Sequence, residues 1–222
     1  MEKENSILET GAPTATRKNL HLGRRLFHMA SGVIVALSYA LFFSHPQAVH
    51  LLGTIACVAY VFDRFRVAYP EIAVKVEWIT NFFLRAEERL KESSMIPYAI
   101  GILLTILSFP KPIALIAISV LAIADPLSAI VGISYGKRHW VKEKTLEGSL
   151  AFLIVSLVCS FYILFHLSSG TWWQIFLVSF FLSVLTTLFE MLPIKLDDNL
   201  TIPLFVGFVA WGLCGVWGVS LI

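Results

Sequence analysis

The chain has 222 residues, of which 57% are hydrophobic and only 14% are charged, and its mean hydropathy is +0.78. A soluble domain of this length rarely carries so few charges. The composition therefore excludes an ordinary soluble domain and predicts a polytopic membrane protein, while the net charge of +2 indicates little by itself.

The apolar residues form long runs, as bilayer-spanning helices of about 20 residues require. Seven spans are predicted, at residues 26–43, 48–68, 95–109, 113–132, 150–167, 172–192 and 200–222. Residues 71–91 instead carry apolar side chains at helical spacing among charges, which predicts an amphipathic helix at the membrane surface. We expect an all-α bundle of about seven transmembrane helices plus this interfacial helix. Residues 1–23 would form a polar cytoplasmic tail and residues 24–222 a single transmembrane domain.

Lysine and arginine are confined to one side of these spans. Of the 17 basic residues, 16 lie before the first span or at and beyond the ends of the second, fourth and sixth spans, and only Lys111 falls on the other side. The positive-inside rule places the N-terminus in the cytoplasm. With seven spans the C-terminus is outside. We expect a multi-pass protein of a prokaryotic cytoplasmic membrane.

The carboxylates show the same asymmetry, although no topology rule requires it. Asp63, Asp125 and Glu190 lie in predicted spans near their cytoplasmic ends, and every other acidic residue lies in a cytoplasmic segment. Intramembrane carboxylates are costly and usually functional. A transporter would more often place polar groups through the whole membrane, so one cytoplasmic layer favours an enzyme site at the cytoplasmic rim.

Arg24, Arg25 and His28 open the first span. Residues three and four apart share a helix face, so both arginines can lie near His28. Guanidinium groups suit phosphate, which they bind through two hydrogen bonds. The alternative is a pair of topology-setting arginines beside an incidental histidine.

Asp125 directly precedes Pro126 in the fourth span. A residue before proline is disfavoured in the helical conformation, so we expect a kink that directs Asp125 into a cavity, with Ser128 and Gly132 on the same face. A buried ion pair with an arginine is the alternative for Asp125. Gly132 and Gly136 together are more typical of helix packing.

A basic loop leads into the fifth span, with Lys142 and Lys144 followed by Glu147, Gly148 and Ser149. A helix N-terminus binds anions through its free N–H groups, and Gly148 would let a phosphate approach the backbone. The alternative is a capped helix start in a basic loop.

Glu190 ends the sixth span, and Asp197, Asp198 and Asn199 precede the seventh. Carboxylate and amide oxygens are ligands for Mg²⁺, but the same residue types also cap helices. The sequence leaves both interpretations open.

Taken together, the cytoplasmic layer holds cations, a helix N-terminus and carboxylates. Phosphoryl transfer needs cations and N–H donors for the polyphosphate, carboxylates for Mg²⁺ and a base for the acceptor hydroxyl. The membrane location favours a lipid acceptor.

These motifs resemble those of the CTP-dependent lipid kinases, a family that includes dolichol kinase, phytol kinase and a eukaryotic diacylglycerol kinase type. The resemblance runs from about Arg24 to Pro203 and covers four ordered motifs. It rests on Arg24, Arg25 and His28; on Asp125, Pro126 and Gly132; on Lys144, Thr145, Glu147, Gly148 and Ser149; and on Glu190, Asp197, Asp198, Asn199 and Pro203. The chain departs from the family in having an Arg-Arg pair instead of Arg-Lys and Thr145 instead of serine. It is also shorter than the eukaryotic dolichol kinases.

The resemblance implies transfer of the γ-phosphoryl group of CTP, or of another nucleoside triphosphate, to a lipid alcohol such as a polyprenol or dolichol, a phytol-like alcohol or diacylglycerol, with Mg²⁺ as cofactor. The expected catalytic residues are His28, Asp125 and Glu190. The expected nucleotide-binding residues are Arg24, Arg25, Gly132, Lys142, Lys144, Glu147, Gly148 and Ser149, and the expected metal ligands are Asp125, Asp197, Asp198 and Asn199. No nucleic-acid partner is expected. The alternatives are a cytidylyltransferase-like enzyme that makes a CDP-lipid and a non-enzymatic transporter.

Overall fold

The computed structural model describes residues 14–69, 95–141, 144–193 and 196–222. The predicted amphipathic helix at residues 71–91 and Lys142 lie outside the described residues. Within these ranges, eight α-helices follow one another as α1 Thr14–Leu41, α2 His45–Ala68, α3 Met95–Ser108, α4 Lys111–Ser119, α5 Asp125–Tyr135, α6 Leu146–Leu167, α7 Trp172–Glu190 and α8 Asp198–Val216. A π-helical turn, Val120–Ala124, joins α4 to α5, and two short strands, β1 His139–Val141 and β2 Lys144–Thr145, precede α6.

The all-α membrane bundle is confirmed. Among the described residues, five helical segments are long and apolar enough to cross a membrane: His45–Ala68, Lys111–Tyr135, Leu146–Leu167, Trp172–Glu190 and Asp198–Val216. Two shorter apolar helices, Arg25–Leu41 and Met95–Ser108, coincide with the first and third predicted spans. At 1.5 Å per residue α3 is only about 21 Å long, which is less than the hydrocarbon thickness of about 30 Å.

The segment from α4 through the π turn is the centre of the bundle. Its side chains are buried almost without interruption from Ile113 to Ala124, as expected of a helix that is apolar on all sides. Helices α1, α6 and α8 pack around it, α6 and α7 form an antiparallel pair, and α2 packs against α3. Because the outer helices all pack around one central helix, residues from several of them can lie close together beside it.

The predicted departure of Asp125 from helical backbone geometry is wrong. Asp125 has helical angles of φ −63° and ψ −52°, and its backbone N–H donates to the carbonyl of Val120, five residues earlier. In a regular helix the Pro126 ring would press on the carbonyl four residues before it. The wider π turn accommodates the proline, so the chain stays helical through Asp125. Such π turns often occur at functional sites.

Lys111, the one basic residue predicted on the other side of the membrane, has a structural role at the opposite end of the bundle from Asp198. Its ammonium donates to the carbonyl of Phe43 at 3.3 Å and lies 5.1 Å from the centre of the Tyr39 ring. The Tyr39 hydroxyl in turn lies 3.1 Å from Nδ1 of His45. Lys111 thus binds the end of α1 to the start of α4. We call this end of the bundle the far end, and the end where α7 stops and α8 begins the site end.

Candidate functional site

Asp125 lies among charged groups from four other elements. Among the described residues, the groups close enough to act electrostatically on its carboxylate are Arg25 of α1, Lys144 of β2, Glu190 of α7 and Asp198 of α8. Asp125 itself is partly buried. The structure therefore brings at least one residue from each of the four predicted motifs to the site end.

Lys144 joins two of these elements directly. Its ammonium lies 2.7 Å from Oε1 of Glu190 and 3.9 Å from Oδ2 of Asp198, and it also donates to the backbone carbonyl of Glu190. Glu190 is buried, with 7% of its side chain exposed. Its second oxygen, Oε2, is buried and has no hydrogen-bond partner within the described residues. One carboxylate oxygen of Glu190 therefore neutralises Lys144, and the other is available for a further group.

A short β-ribbon, which the sequence analysis did not predict, holds Lys144 in place. Strands β1 and β2 pair antiparallel, with Val141 opposite Lys144. The next residue, Thr145, caps α6, because its hydroxyl accepts a hydrogen bond from Gly148 N–H at 3.2 Å. The ribbon thus runs directly into a capped helix, and Lys144 is the residue at that junction.

The start of α6 is closed by contacts within the protein. The N–H of Leu146 donates to the carbonyl of Arg138 at 2.9 Å, and the carboxylate of Glu147 accepts a hydrogen bond from Arg138 N–H at 3.4 Å. Ser149 is buried. The capped helix start, given above as an alternative, is therefore present, and phosphate binding by Glu147, Gly148 and Ser149 stays a prediction.

Gly132 and Gly148 let α5 and α6 pack in close contact. A Cβ atom at Gly148 would lie 2.8 Å from the carbonyl oxygen of Ser128, and one at Gly132 would lie 2.9 Å from Oγ1 of Thr145. The predicted packing role of the Gly132–Gly136 pair agrees with this contact, since a Cβ at Gly136 would also overlap Thr145. The structure thus assigns both glycines a packing role, and their predicted contact with nucleotide stays a prediction.

We expect Gly148→Ala to lower the thermal stability of the purified protein, because the new methyl group forces α5 and α6 apart at a cost of about 1–3 kcal/mol. Gly212→Ala in α8 is the matched control, since a Cβ there meets nothing within 4 Å. That variant should gain up to about 1 kcal/mol from better helix propensity. Melting followed by circular dichroism in detergent measures both changes, and equal effects of the two variants would contradict the packing role.

At the start of α8 the structure separates the two adjacent aspartates. Asp197 is the N-cap, and its Oδ1 accepts a hydrogen bond from the N–H of Asn199 at 2.9 Å. Asp198 instead lies beside Lys144. A Cβ at Gly101 of α3 would overlap the carbonyl of Asn199, so α3 abuts the backbone of this turn. Capping therefore accounts for Asp197, and Asp198 is the carboxylate that points toward the site.

Arg25 and His28 lie on the part of α1 that packs beside the π turn. Ser31 and Tyr98 both donate hydroxyl hydrogen bonds to the carbonyl of His28, at 3.0 Å and 3.2 Å. Arg24 belongs to the same helix, but its side chain lies outside the described residues. The sequence analysis did not single out Tyr98, because a tyrosine in an apolar helix carries no signal of its partner.

The chain was compared with protein-family models, with curated proteins and with solved structures. No family model and no solved structure matches. It is 26% identical over 213 residues to a protein named probable phytol kinase 1, chloroplastic, of Glycine max, covering 88% of this chain and 69% of that protein. It is 23% identical over 146 residues to CTP-dependent diacylglycerol kinase 1 of Schizosaccharomyces pombe, covering 65% and 67%. It is 29% identical over 188 residues to an uncharacterized protein of Rickettsia prowazekii (strain Madrid E), covering 82% and 88%.

Proposed function

We propose that this protein transfers the γ-phosphoryl group of CTP to a membrane lipid alcohol. Its similarity over most of the chain to proteins named phytol kinase and CTP-dependent diacylglycerol kinase supports the CTP-dependent lipid kinase family and a lipid kinase activity. The observation that carries the proposal is the meeting of Arg25, Asp125, Lys144, Glu190 and Asp198 at the site end. These residues come from five elements, and together they offer the charges that phosphoryl transfer requires.

The cations bind the nucleotide. Arg25 and Lys144, with Arg24 and Lys142 as further candidates, neutralise the negative charge of the triphosphate. In this structure the ammonium of Lys144 is neutralised by the carboxylates of Glu190 and Asp198. When the triphosphate binds, its negative charge replaces part of that interaction. The ribbon that holds Lys144 is short and ends directly at the start of α6, which limits how far the ammonium moves.

The residues at the site end fit Mg²⁺. Mg²⁺ prefers oxygen ligands and in nucleotide sites is usually held by one or two carboxylates together with phosphates and water. Asp125 and Asp198 are two such carboxylates, and the buried Oε2 of Glu190 is a third oxygen donor nearby. Within the described residues, no group of three or more His, Cys, Asp or Glu side chains is arranged to hold a metal by itself, so the phosphates would complete the ligand set. Bound Mg²⁺ would neutralise charge on the transferring phosphoryl group.

The reaction joins the lipid hydroxyl oxygen to the γ-phosphorus and breaks the bond from that phosphorus to the bridging oxygen. The hydroxyl proton passes to a base, for which His28, Asp125 and Glu190 are the candidates, and CDP leaves. All of these groups lie at the site end, so the hydroxyl must reach that depth while its hydrocarbon tail stays between the helices. Polyprenols, dolichol, phytol-like alcohols and diacylglycerol each combine such a hydroxyl with such a tail.

Product analysis tests this function. Purified protein in detergent is given γ-labelled CTP or ATP, Mg²⁺ and, separately, a polyprenol, phytol and diacylglycerol. We expect a labelled lipid monophosphate and free CDP. A parallel reaction supplies a lipid monophosphate as the acceptor, and label released there in pyrophosphate with formation of a CDP-lipid would favour the cytidylyltransferase alternative. No turnover of either nucleotide with any lipid would favour the non-enzymatic transporter.

We propose that the site end faces the cytoplasm of a prokaryotic cell, with the N-terminus on that side and the C-terminus outside. The basis is the distribution of basic residues, 16 of 17 on one side. Reporter fusions at the two termini, one active only in the cytoplasm and one only outside, should give opposite results. Both termini on the same side would refute the seven-span topology.

The two adjacent aspartates of α8 should differ in their importance. Asp197→Asn preserves the cap, because asparagine caps helices as well as aspartate does, and we expect turnover within about twofold of the unmodified protein. Asp198→Asn removes a carboxylate from the site, and we expect a loss of about 10²-fold, together with a higher Mg²⁺ requirement. Turnover measured against Mg²⁺ concentration distinguishes the two, and the reverse order of effects would make Asp197 the metal ligand.

A further inference from the structure

Tyr98 makes a close contact with His28 that neither the sequence motifs nor the comparisons indicate. The two ring centres are 3.7 Å apart, with the ring planes tilted by 48°. The Tyr98 hydroxyl also donates to the backbone carbonyl of His28 at 3.2 Å. Tyr98 is buried, so both contacts are shielded from water. One side chain of α3 thus contacts both the imidazole and the backbone of His28.

The surrounding residues leave Tyr98 little freedom to move. The Ser31 hydroxyl donates to the same His28 carbonyl as the Tyr98 hydroxyl does, so the two hydroxyls share one acceptor. A Cβ at Gly32 would overlap both the Tyr98 hydroxyl and Ala122 of the π turn. Glycine at position 32 therefore creates the space in which α1, α3 and the π turn meet. A buried tyrosine hydroxyl that has found its partners favours a single orientation of the ring.

The same helix also contacts the other side of the site. Gly101 lies three residues after Tyr98, on the same face of α3, and abuts the backbone of Asn199 beside Asp198. Helix α3 therefore touches the segment that carries His28 and the segment that carries Asp198. Its first two turns set the spacing between these two parts of the site.

We propose that Tyr98 is a positioning residue, whose ring holds the imidazole of His28 in its working orientation and whose hydroxyl anchors the turn of α1 that carries it. The effect of Tyr98 on catalysis rests on the proposed kinase function, whereas the positioning of His28 by Tyr98 is independent of that function. Groups that take part in a reaction must be held to within a fraction of an ångström, and the side chains that hold them are themselves locked by packing. Tyr98 has these properties with respect to His28.

Nuclear magnetic resonance of the histidine rings tests the positioning without any assay of activity. The chain has six histidines, and the His28 signal is identified by its loss in His28→Gln. We expect Tyr98→Leu, which removes the ring, to move the His28 signal more than that of any other histidine. Tyr98→Phe, which keeps the ring, should move it much less. A His28 signal that stays in place in Tyr98→Leu would overturn the proposal.

A double-mutant cycle tests the catalytic consequence. We expect Tyr98→Leu to lower kcat about tenfold, since misplacing a reacting group is costly, and to change the KM for nucleotide by less than about twofold. In the His28→Gln background the same change should alter kcat by less than about twofold, because nothing remains to be positioned. Equal losses in both backgrounds would mean general structural support and overturn the proposal.

Tyr39→Leu is the matched control for both experiments. Tyr39 is also buried and also contacts a histidine, His45, but at the far end. It should disturb the His45 signal, leave that of His28 in place and show no coupling to His28→Gln. Coupling of the same size from Tyr39 would count against a specific role of Tyr98. If the unmodified protein transfers no phosphate, the proposed function fails, while the resonance experiment still decides the positioning.

Discussion

Replacing Asp125 by asparagine should abolish phosphoryl transfer, with a loss of about 10³-fold, and leave the protein folded. Asparagine keeps the shape of the side chain and removes its charge. Asp198 and Glu190 act on Asp125 as like charges, so losing that charge relieves repulsion and should not lower stability. The measurement is turnover of γ-labelled CTP beside a thermal melt of the same purified sample. Near-normal turnover would show that Asp125 has no catalytic role.

Asp63→Asn is the matched control, since Asp63 is also a carboxylate within a span. It forms a buried ion pair with Arg66, with Nη2 and Oδ1 2.7 Å apart. It lies in α2, whereas the described charges that act on Asp125 lie in α1, β2, α7 and α8. We expect the opposite outcome, a lower melting temperature with turnover per folded molecule retained. This pair of results would show that Asp125 is needed for the reaction and that Asp63 is needed for the stability of the fold.

Replacing Lys144 by methionine should affect both activity and stability. Loss of a cation that binds the triphosphate is expected to lower kcat/KM by about 10²–10³-fold. Breaking a buried ion pair costs about 3–5 kcal/mol, and we expect the lower end because 28% of the Lys144 side chain is exposed. The same transfer assay and thermal melt measure the two effects.

The double variant Lys144→Met/Glu190→Gln separates these effects. It removes the cation together with the buried charge that the cation neutralises, so much of the stability should return. Transfer should stay low, because neither the cation nor the carboxylate is restored. Recovery of transfer along with stability would show that Lys144 acts only by supporting the fold.

The sequence by itself was sufficient to predict the helical membrane bundle and the layer of charged residues at one side of it. Hydropathy is a local property, and a helix that satisfies its own backbone is the simplest way for an apolar run to cross a bilayer. The predicted spans therefore coincide with apolar helices in the described residues. Arg25, Asp125, Lys144, Glu190 and Asp198 were all found as candidates because charges are conspicuous among apolar residues. The side of the membrane proposed for them rests on counting lysines and arginines.

The tertiary structure decided what each candidate contacts. Asp197 and Asp198 are adjacent and chemically identical in the sequence, and only the packing of α8 beside Lys144 makes one a cap and the other a site residue. Gly148 belongs to a pattern that predicts phosphate binding, yet its missing side chain is what lets α6 approach Ser128. Propensity and motif describe a residue and its near neighbours in the chain, whereas these contacts depend on which helices meet.

The π turn and the contact of Tyr98 with His28 likewise could not be predicted from local sequence patterns. A proline predicts a disturbance in a helix, but whether the helix kinks or widens depends on what packs around it, and here α1 packs against the widened turn at Gly32. Tyr98 is 70 residues from His28 in the sequence, and no pattern in either segment refers to the other. The sequence determined where the helices and charges lie along the chain. The packing of α1, α6 and α8 around the central helix, with α3 and α7 packed against its neighbours, determined which of them form the site, because that packing depends on shape across the whole bundle.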